Sequence, residues 1–241
     1  MLEVAVDELP PELDGLRVAH LSDFHLGVPS RGLVAVERAV EWVVERHPDL
    51  VCITGDLLSR PRGEPRLRRL LDRLGPSFAV LGNHDYAQSR DPFSRRVRVD
   101  ELGETVLLSD ESRIVELRGL PVQIAGVDPR SYSRGRARAH VQANRSARLR
   151  IALSHFPGLA RKLPQGEFHV VLSGHMHAGQ IVLPYPGGRL LLAHPRARES
   201  SGIYRYGRTT LHVSPGLGTT FVPFRFFARP EVTELVLRPD S

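Results

Sequence analysis

Six short, almost entirely apolar runs constrain the fold of this chain more than any other feature. Each run has four to six residues, and together they are Leu16–Leu21, Leu50–Thr54, Phe78–Leu81, Val122–Val127, Leu149–Ser154 and His169–Ser173. Runs of this kind are typical of strands that are buried on both faces. Between the early runs, apolar residues recur every three or four positions from Leu33 to Val44 and from Leu67 to Leu74, as in amphipathic helices. The alternation predicts an α/β fold.

The remaining segments carry weaker structural signals. Asp91 followed by Pro92 is typical of a helix N-terminus, and we expect that helix to end near Gly103. From Val182 onward, short apolar segments alternate with proline and glycine, which predicts a second sheet or an antiparallel extension. No internal repeat, low-complexity tract or long linker interrupts the sequence. We therefore predict a single domain over residues 1–241.

Composition excludes several classes of protein. The 241 residues are 41% hydrophobic and 25% charged, which is typical of a globular chain with a substantial core. The only cysteine, Cys52, excludes an internal disulfide and a multi-cysteine zinc site. No apolar run approaches the ~20 residues of a transmembrane helix, and the first residues lack the pattern of a secretory signal. We expect a cytoplasmic protein with no transmembrane segment.

The positive net charge raises the question of a nucleic-acid partner. The formal charge is +6, but Lys162 is the only lysine, and the other basic residues are arginines scattered through an Ala-, Gly-, Pro- and Leu-rich chain. This skew indicates codon bias rather than a selected basic surface. Nucleic acid is therefore a disfavoured partner.

Polar groups with metal-binding chemistry follow five of the six apolar runs directly. They lie in the segments Ser22-Asp23-Phe24-His25, Gly55-Asp56, Gly82-Asn83-His84-Asp85, Ser154-His155 and Gly174-His175-Met176-His177. Because the carboxyl ends of strands line the ligand crevice of an open α/β sheet, we expect these groups to converge. Glycine at positions 55, 82 and 174 lets the backbone turn sharply and approach a ligand closely.

The residue types indicate two divalent ions rather than one. The candidate ligands are Asp23, His25, Asp56, Asn83, His155, His175 and His177. Carboxylate, imidazole and amide oxygen suit Mn, Fe, Zn or Ni, and seven ligands fit two ions if one carboxylate bridges them. Asp56 is the predicted bridge, because it is the lone acid in its loop. We expect Mn²⁺, with Fe, Zn and Ni as alternatives.

Taken in order, these segments resemble the motifs of the calcineurin-like metallophosphoesterase superfamily. Within it, residues 173–180 are similar to the Gly-His-X-His-X-Gly-Gln block of a bacterial single-domain phosphodiesterase group, although Met176 and Ala178 replace Thr and Gly. The tail, residues 213–218 and 229–232, also resembles that group. The resemblance implies a four-layer αββα sandwich of two mixed β-sheets, with a dimetal site at the carboxyl ends of the strands.

The resemblance also implies how the ligands divide and what the site does. One ion would take Asp23, His25 and His177, the other Asn83, His155 and His175, and Asp56 would hold both. The implied reaction is hydrolysis of a phosphodiester bond in a small-molecule or nucleotide-type substrate by a metal-bridging hydroxide. His84 would donate a proton or hydrogen bond to the leaving oxygen, and Asp85 would hold its other ring nitrogen.

Alternative functions remain open at this point. The first is a pyrophosphatase acting on a nucleotide-sugar lipid, similar to UDP-2,3-diacylglucosamine hydrolases of the superfamily. A nuclease and a non-catalytic scaffold are less favoured, the scaffold because all the predicted ligands and His84 are present.

Substrate recognition is not determined by the sequence. The arginines at positions 130, 134, 136 and 138 form either a phosphate-binding loop or a solvated one. The phenylalanines at positions 221, 224, 226 and 227 either pack in the core, which the sequence favours, or contact an acyl chain or a membrane surface. The oligomeric state is also open.

Overall fold

Two mixed β-sheets stack face to face at the centre of the computed structural model, which describes residues 1–30, 32–97, 99, 102–137, 141–195 and 197–240. Within these ranges the first sheet has the order β1 (Leu2–Val6), β14 (Thr233–Pro239), β2 (Arg17–Leu21), β3 (Leu50–Thr54), β4 (Ser77–Val80) and β5 (Thr105–Leu107). The second has the order β12 (Gly202–Tyr206), β13 (Thr209–Val213), β9 (Val170–Ser173), β8 (Leu149–Ser154), β7 (Leu120–Val127) and β6 (Glu111–Leu117). A separate hairpin pairs β10 (Val182–Tyr185) with β11 (Gly188–Leu191).

The strands that carry the predicted ligands are the parallel ones. In the first sheet β2, β3, β4 and β5 run parallel, and in the second β7, β8, β9 and β13 do. Each sheet also contains antiparallel pairs, β14 with β2 in one and β6 with β7 in the other. Because parallel neighbours end at the same edge, the segments after them are delivered to one end of each sheet.

Alternate residues of each central strand belong to different layers of the core, as the period of two in a strand requires. In β3, Leu50 and Cys52 face the second sheet, whereas Val51 and Ile53 face the helices. In the second sheet, Ile151 faces the first sheet. Burial on both faces explains why the sequence of these strands is mostly apolar.

Helices cover the outer faces of both sheets. Helices α1 (Gly32–Arg46) and α2 (Glu64–Leu74) pack on the first sheet, and two short helices, α3 (Pro129–Ser133) and α4 (Leu159–Lys162), lie with neighbouring loops over the second. The predicted four-layer αββα sandwich is confirmed. None of the helices in the described ranges is both long and apolar enough to cross a lipid bilayer. The single-domain organisation over residues 1–241 stays a prediction.

The prediction of a helix from Asp91 to Gly103 is wrong for the described part of that segment. Asp91 does cap a turn, accepting a hydrogen bond from the Phe93 amide at 2.9 Å. The Ser94 amide bonds to the Asp91 carbonyl, but the next turn does not continue a helix, because the Arg95 amide bonds to the Ser59 carbonyl and the Val97 amide to the Asp85 carbonyl. Residues 91–97 therefore form an irregular loop beside the carboxyl ends of β3 and β4.

Candidate metal centre

The predicted ligands meet at the carboxyl ends of β2, β3, β4, β8 and β9. The first group that the structure brings together is Asp23, His25, Asp56 and His177, all buried, with ligand atoms within 4.8 Å of one another. Nε2 of His25 lies 3.1 Å from Nε2 of His177 and 3.5 Å from a carboxylate oxygen of Asp56. Nε2 of His177 lies 3.3 Å from a carboxylate oxygen of Asp23.

A second group shares Asp56 with the first. Asp56, His155 and His175 also have ligand atoms within 4.8 Å of one another. Nε2 of His155 lies 3.2 Å from Asp56 Oδ2, 3.1 Å from Nδ1 of His175 and 3.0 Å from the amide oxygen of Asn83. The two groups contain the residues of the two ligand sets that the family resemblance implies. Asp56 is the residue common to both, which fits its predicted role as the bridge.

The backbone is strained where the ligands sit. The residues among them with positive φ are Asp23, His25, Asp56, His175 and His177. This left-handed conformation is costly for residues other than glycine, and such strain concentrates at functional sites. Each of these residues follows a strand end, so the sharp turn aims its side chain at the shared space instead of continuing the strand.

Two glycines allow the loops to approach one another closely. A Cβ on Gly82 would lie 2.0 Å from a carboxylate oxygen of Asp56, and one on Gly174 would lie 2.5 Å from a carboxylate oxygen of Asp23. Neither distance is sterically tolerable. At both positions the glycine backbone therefore lies close to the carboxylate of a neighbouring loop, as the sequence predicts.

Groups that the sequence analysis did not single out orient the imidazoles. The Thr54 carbonyl lies 2.9 Å from Nδ1 of His155; since a carbonyl only accepts, Nδ1 carries a proton, and Nε2 is the ring nitrogen that faces Asp56. Nδ1 of His25 lies 3.1 Å from the Ser59 hydroxyl. Such outer partners fix the ring orientation of metal-binding histidines. The positions of these two partners depend on the tertiary structure, and no sequence motif marks them.

Arg225 is the charged member of these orienting groups. Its guanidinium donates to the carbonyls of His177, Pro215 and Gly218 at 2.8 to 3.1 Å and lies 3.1 Å from Nδ1 of His177. Burial lowers the pKa of Arg225 to about 10. Because arginine only donates, Nδ1 of His177 accepts and the ring proton of a neutral His177 sits on Nε2, facing Asp23. A cation taking Nε2 would displace that proton.

The structure places His84 as expected but contradicts the role given to Asp85. His84 lies with Nε2 4.0 Å from Asp56 Oδ2, and its Nδ1 is 2.5 Å from the Ser94 hydroxyl. Asp85 instead accepts hydrogen bonds from the amides of Gly82, Leu57 and Leu58 at 2.8 to 3.3 Å. The Asp85 carboxylate is thus bound to these loop amides. The group that contacts Nδ1 of His84 is Ser94, which lies in the irregular loop after Asp91.

Burial and charge make the cluster electrostatically unusual. Burial opposes ionisation of Asp56, but the neighbouring imidazoles, led by His155, outweigh it and hold the pKa of Asp56 below its ordinary value. Burial likewise opposes a charged His155, yet Asp56 and Asp23 raise the pKa of His155 to about 9. Burial and the nearby charge of Asp56 raise the pKa of Asp85 to about 7. The ionised carboxylates thus create a buried site that attracts positive charge.

The donor set fits divalent metal ions. Two carboxylates, four imidazoles and one amide oxygen converge in a buried space and their polar atoms face one another rather than solvent. Oxygen and imidazole donors suit first-row divalent metals, and a carboxylate shared by two groups suits a two-metal site.

A cavity of about 540 Å³ opens directly over the centre. Its floor includes Asp56, Asn83, His84, His175 and His177, and its wall is largely apolar. The remaining lining residues are Ser89, Arg90, Gln180, Ile181, Leu192, Ala193, His194, Thr220, Phe221 and Val222.

The arginine-rich loop lies outside this lining. Residues 129–133 form α3, and Asp128 accepts hydrogen bonds from the Arg130 backbone and guanidinium at 2.7 to 3.0 Å. Arg134 and Arg136 are exposed, and Arg138 lies outside the described residues. None of the described members of this loop lines the cavity, so the solvated interpretation agrees better with the structure.

The prediction that the C-terminal phenylalanines pack in the core is wrong. Phe221, Phe224, Phe226 and Phe227 are each between 46% and 66% exposed. Their segment forms no regular strand. It is fixed instead by hydrogen bonds to the loop after β9, which turn the phenyl rings outward.

Comparison with known proteins identifies the family. The model of the family described as calcineurin-like phosphoesterase matches residues 16–179, which contain all of the predicted ligands. The chain belongs to this family. As a calcineurin-like phosphoesterase, it is a metal-dependent hydrolase of phosphoester bonds, and the resemblance drawn from its motifs is confirmed.

Full-length relatives agree with this assignment. The metallophosphoesterase YkoQ of Bacillus subtilis is 32% identical over 92% of this chain and 84% of its own length. YkuE of the same species is 28% identical over 97% of this chain and 82% of its own length. A transmembrane protein with a metallophosphoesterase domain from Danio rerio is 32% identical over 98% of this chain, which spans 56% of that protein.

Proposed function

We propose that this phosphoesterase is a dimetal phosphodiesterase acting on a small-molecule or nucleotide-type substrate. The observation that carries the proposal is the pair of ligand groups joined by Asp56 at the floor of the cavity. Mn²⁺ is the metal we propose, because the donors are oxygen and imidazole without thiolate. A cytoplasmic location also stays part of the proposal.

Different residues have different roles at the floor of the cavity. When bound, two divalent ions supply an activated water and neutralise charge on the phosphoryl oxygens. Asp56 holds the two halves of the site together, and the His84 amide fixes its carboxylate through a 2.8 Å hydrogen bond to Oδ1. Thr54, Ser59 and Arg225 hold the imidazole rings in place, so little reorganisation is needed when substrate arrives.

His84 is suited to meet charge on the leaving oxygen. It lines the cavity beside Asp56, and its Nδ1 is held by Ser94. If the Ser94 hydroxyl donates to Nδ1, the ring proton lies on Nε2, directed toward the cavity floor. From there Nε2 donates a proton or hydrogen bond to the oxygen that departs from phosphorus.

The cavity favours a diester over a monoester. A monoester dianion carries one more charged oxygen than a diester, yet Arg90 is the one arginine in the described lining and the wall is mostly apolar. The same wall, with Ile181, Leu192 and Phe221, also has space for an apolar substituent. This favours the nucleotide-sugar lipid pyrophosphatase as the second candidate.

A hydrolysis panel on metal-reconstituted protein tests the proposed function. We expect bis-p-nitrophenyl phosphate to be hydrolysed with a kcat/KM about tenfold or more above that of p-nitrophenyl phosphate, since one missing charged hydrogen bond is worth ~1.5–3 kcal/mol. Cyclic nucleotides, nucleotide diphosphate sugars and DNA complete the panel. A preference for the monoester would overturn the diesterase proposal, and a preference for a lipid-linked diphosphate would establish the second candidate.

The variant His84→Asn separates His84 from the metal ligands. It should keep both ions but lose roughly 10²–10⁴ in rate on a 2′,3′-cyclic nucleotide, whose alkoxide leaving group needs a proton. The loss on bis-p-nitrophenyl phosphate should be much smaller, because p-nitrophenolate leaves unaided. The control is His47→Asn, at an exposed histidine that does not line the cavity. Equal losses on both substrates would show that His84 acts on the phosphoryl group instead.

A further inference from the structure

Exposed apolar side chains surround one side of the cavity mouth. We call this surface the apolar rim and define it as the β10–β11 hairpin, residues 182–191, together with residues 221–227. Tyr185 is 58% exposed, Phe227 is 66% exposed, and Phe221 and Phe224 are each 51% exposed. Leu183, Leu190 and Phe226 are exposed as well. Contiguous exposed apolar surface of this kind marks an interaction site in a folded protein.

The two parts of the apolar rim are joined by specific backbone contacts. Ile181, which precedes β10, forms a parallel bridge with Phe226. The Val182 amide donates to the Phe226 carbonyl, and the Phe226 amide donates to the Gln180 carbonyl, both at 2.9 Å. The phenylalanine segment is therefore attached to the base of the hairpin by a single β-bridge.

Gln180 fixes the phenylalanine segment from beneath. Its buried side-chain amide donates to the carbonyls of Thr220, Val222 and Phe224 at 2.7 to 3.4 Å. Its side-chain oxygen accepts from the Thr220 amide at 2.9 Å. One buried residue thus holds a loop whose phenyl rings point outward. Specific hydrogen bonds in the fold therefore keep these rings exposed.

The hairpin is also held in its outward position. Within the described chain it pairs with neither six-stranded sheet. The Leu192 amide donates to the Ile181 carbonyl at 2.9 Å, and the Leu191 side chain covers Gly179 at less than 3 Å from where a Cβ would lie. Pro186 and Gly187 form the turn, with Gly187 at φ +88° as a Pro-Gly turn requires.

The charges beside the apolar rim are positive. Residues 177–198 and 215–230 contain no Asp or Glu, whereas Arg189 and Arg229 are exposed within these stretches. The carboxylate that contacts the rim, Asp91 through the Phe221 amide at 3.3 Å, is buried. Apolar and aromatic side chains next to arginines, without acids, complement the surface of an anionic bilayer.

We propose that the apolar rim docks the protein on the surface of an anionic lipid bilayer. The aromatic rings enter the headgroup region and the arginines contact lipid phosphates. Phe221 belongs both to the apolar rim and to the cavity lining, and Ile181 and Leu192, which flank the hairpin, also line the cavity. Docking therefore places the cavity mouth against the bilayer. The proposal goes beyond the proposed phosphodiesterase activity and does not depend on it, since docking is measured without substrate.

Cosedimentation of the full chain with lipid vesicles tests the docking. We expect the protein to sediment with vesicles of phosphatidylglycerol and phosphatidylcholine at low salt. Binding should fall as salt is raised and should be weak on phosphatidylcholine alone, because the arginines then lose their partners. Each of the variants Arg189→Glu and Arg229→Glu should weaken binding about fivefold or more, given ~1 kcal/mol per basic residue near an anionic surface.

A phenylalanine variant separates docking from non-specific charge attraction. The double variant Phe224→Ser, Phe227→Ser should weaken binding about tenfold or more. The matched control is Ile114→Ser, since Ile114 is 47% exposed on β6 in the far edge strand of the second sheet. Circular dichroism and thermal unfolding of all variants verify the fold.

Three outcomes would overturn the proposal. The first is wild-type protein that stays in the supernatant with anionic vesicles at low salt, and the second is a double variant that binds as tightly as wild type. The third is a vesicle-independent dimer, seen by analytical ultracentrifugation and dissociated by the double variant. It would make the apolar rim an interface between copies of this chain.

Discussion

Exhaustive chelation is expected to abolish phosphoesterase activity, and added Mn²⁺ is expected to restore it. The cavity floor consists of carboxylates, imidazoles and one amide, and in the described lining no serine or cysteine is paired with a base as an activated nucleophile. These groups alone have no means of generating a strong nucleophile at neutral pH. The measurement is activity together with elemental analysis, with about two metal ions per chain expected in the active protein.

A metal series and a stability measurement complete this test. Fe, Zn and Ni are compared with Mn at equal occupancy, so that the preferred metal is read from activity per bound ion. The folded state should survive chelation, because the core between the sheets is apolar and independent of the ligands. Full activity in protein shown to be metal-free would contradict the dimetal interpretation.

The substitution Asp56→Asn is expected to remove both ions and most of the activity. Asparagine has the same shape and keeps an oxygen for the 2.8 Å hydrogen bond from the His84 amide, so the loop should be preserved. The lost charge is the one shared by both ligand groups, and without it two nearby cations repel each other. The activity loss should exceed the ~10–100-fold typical of removing an outer partner of a metal ligand.

Two controls define what the Asp56 result means. His177→Ala removes a residue that belongs to one ligand group, and it should weaken the binding of one ion. Asp72→Asn changes an exposed carboxylate on α2 and should leave metal content at the wild-type level. An Asp56→Asn protein that still binds two equivalents tightly would show that the bridge is assigned wrongly.

The sequence by itself determined the α/β class and the set of residues at the candidate centre, whereas the four-layer arrangement was implied by the family resemblance. The class and the residue set follow from local patterns: strands buried on two faces must be mostly apolar, and parallel strands must end at the same edge. Asp23 and Asp56 follow neighbouring parallel strands of one sheet, so their convergence requires no further information. His155 follows a strand of the other sheet, and it joins them because the two sheets stack with these strand ends on the same side.

The tertiary structure alone decided which groups hold the ligands and which side chains face solvent. Ser94 rather than Asp85 lies at the ring of His84, because the described residues after Asp91 bond to distant loops instead of forming a helix. Arg225 reaches His177, and Phe227 turns outward, because Gln180 fixes the adjoining backbone of residues 220–224. These outcomes depend on hydrogen bonds between loops far apart in the chain, and such bonds leave no periodic pattern in the sequence.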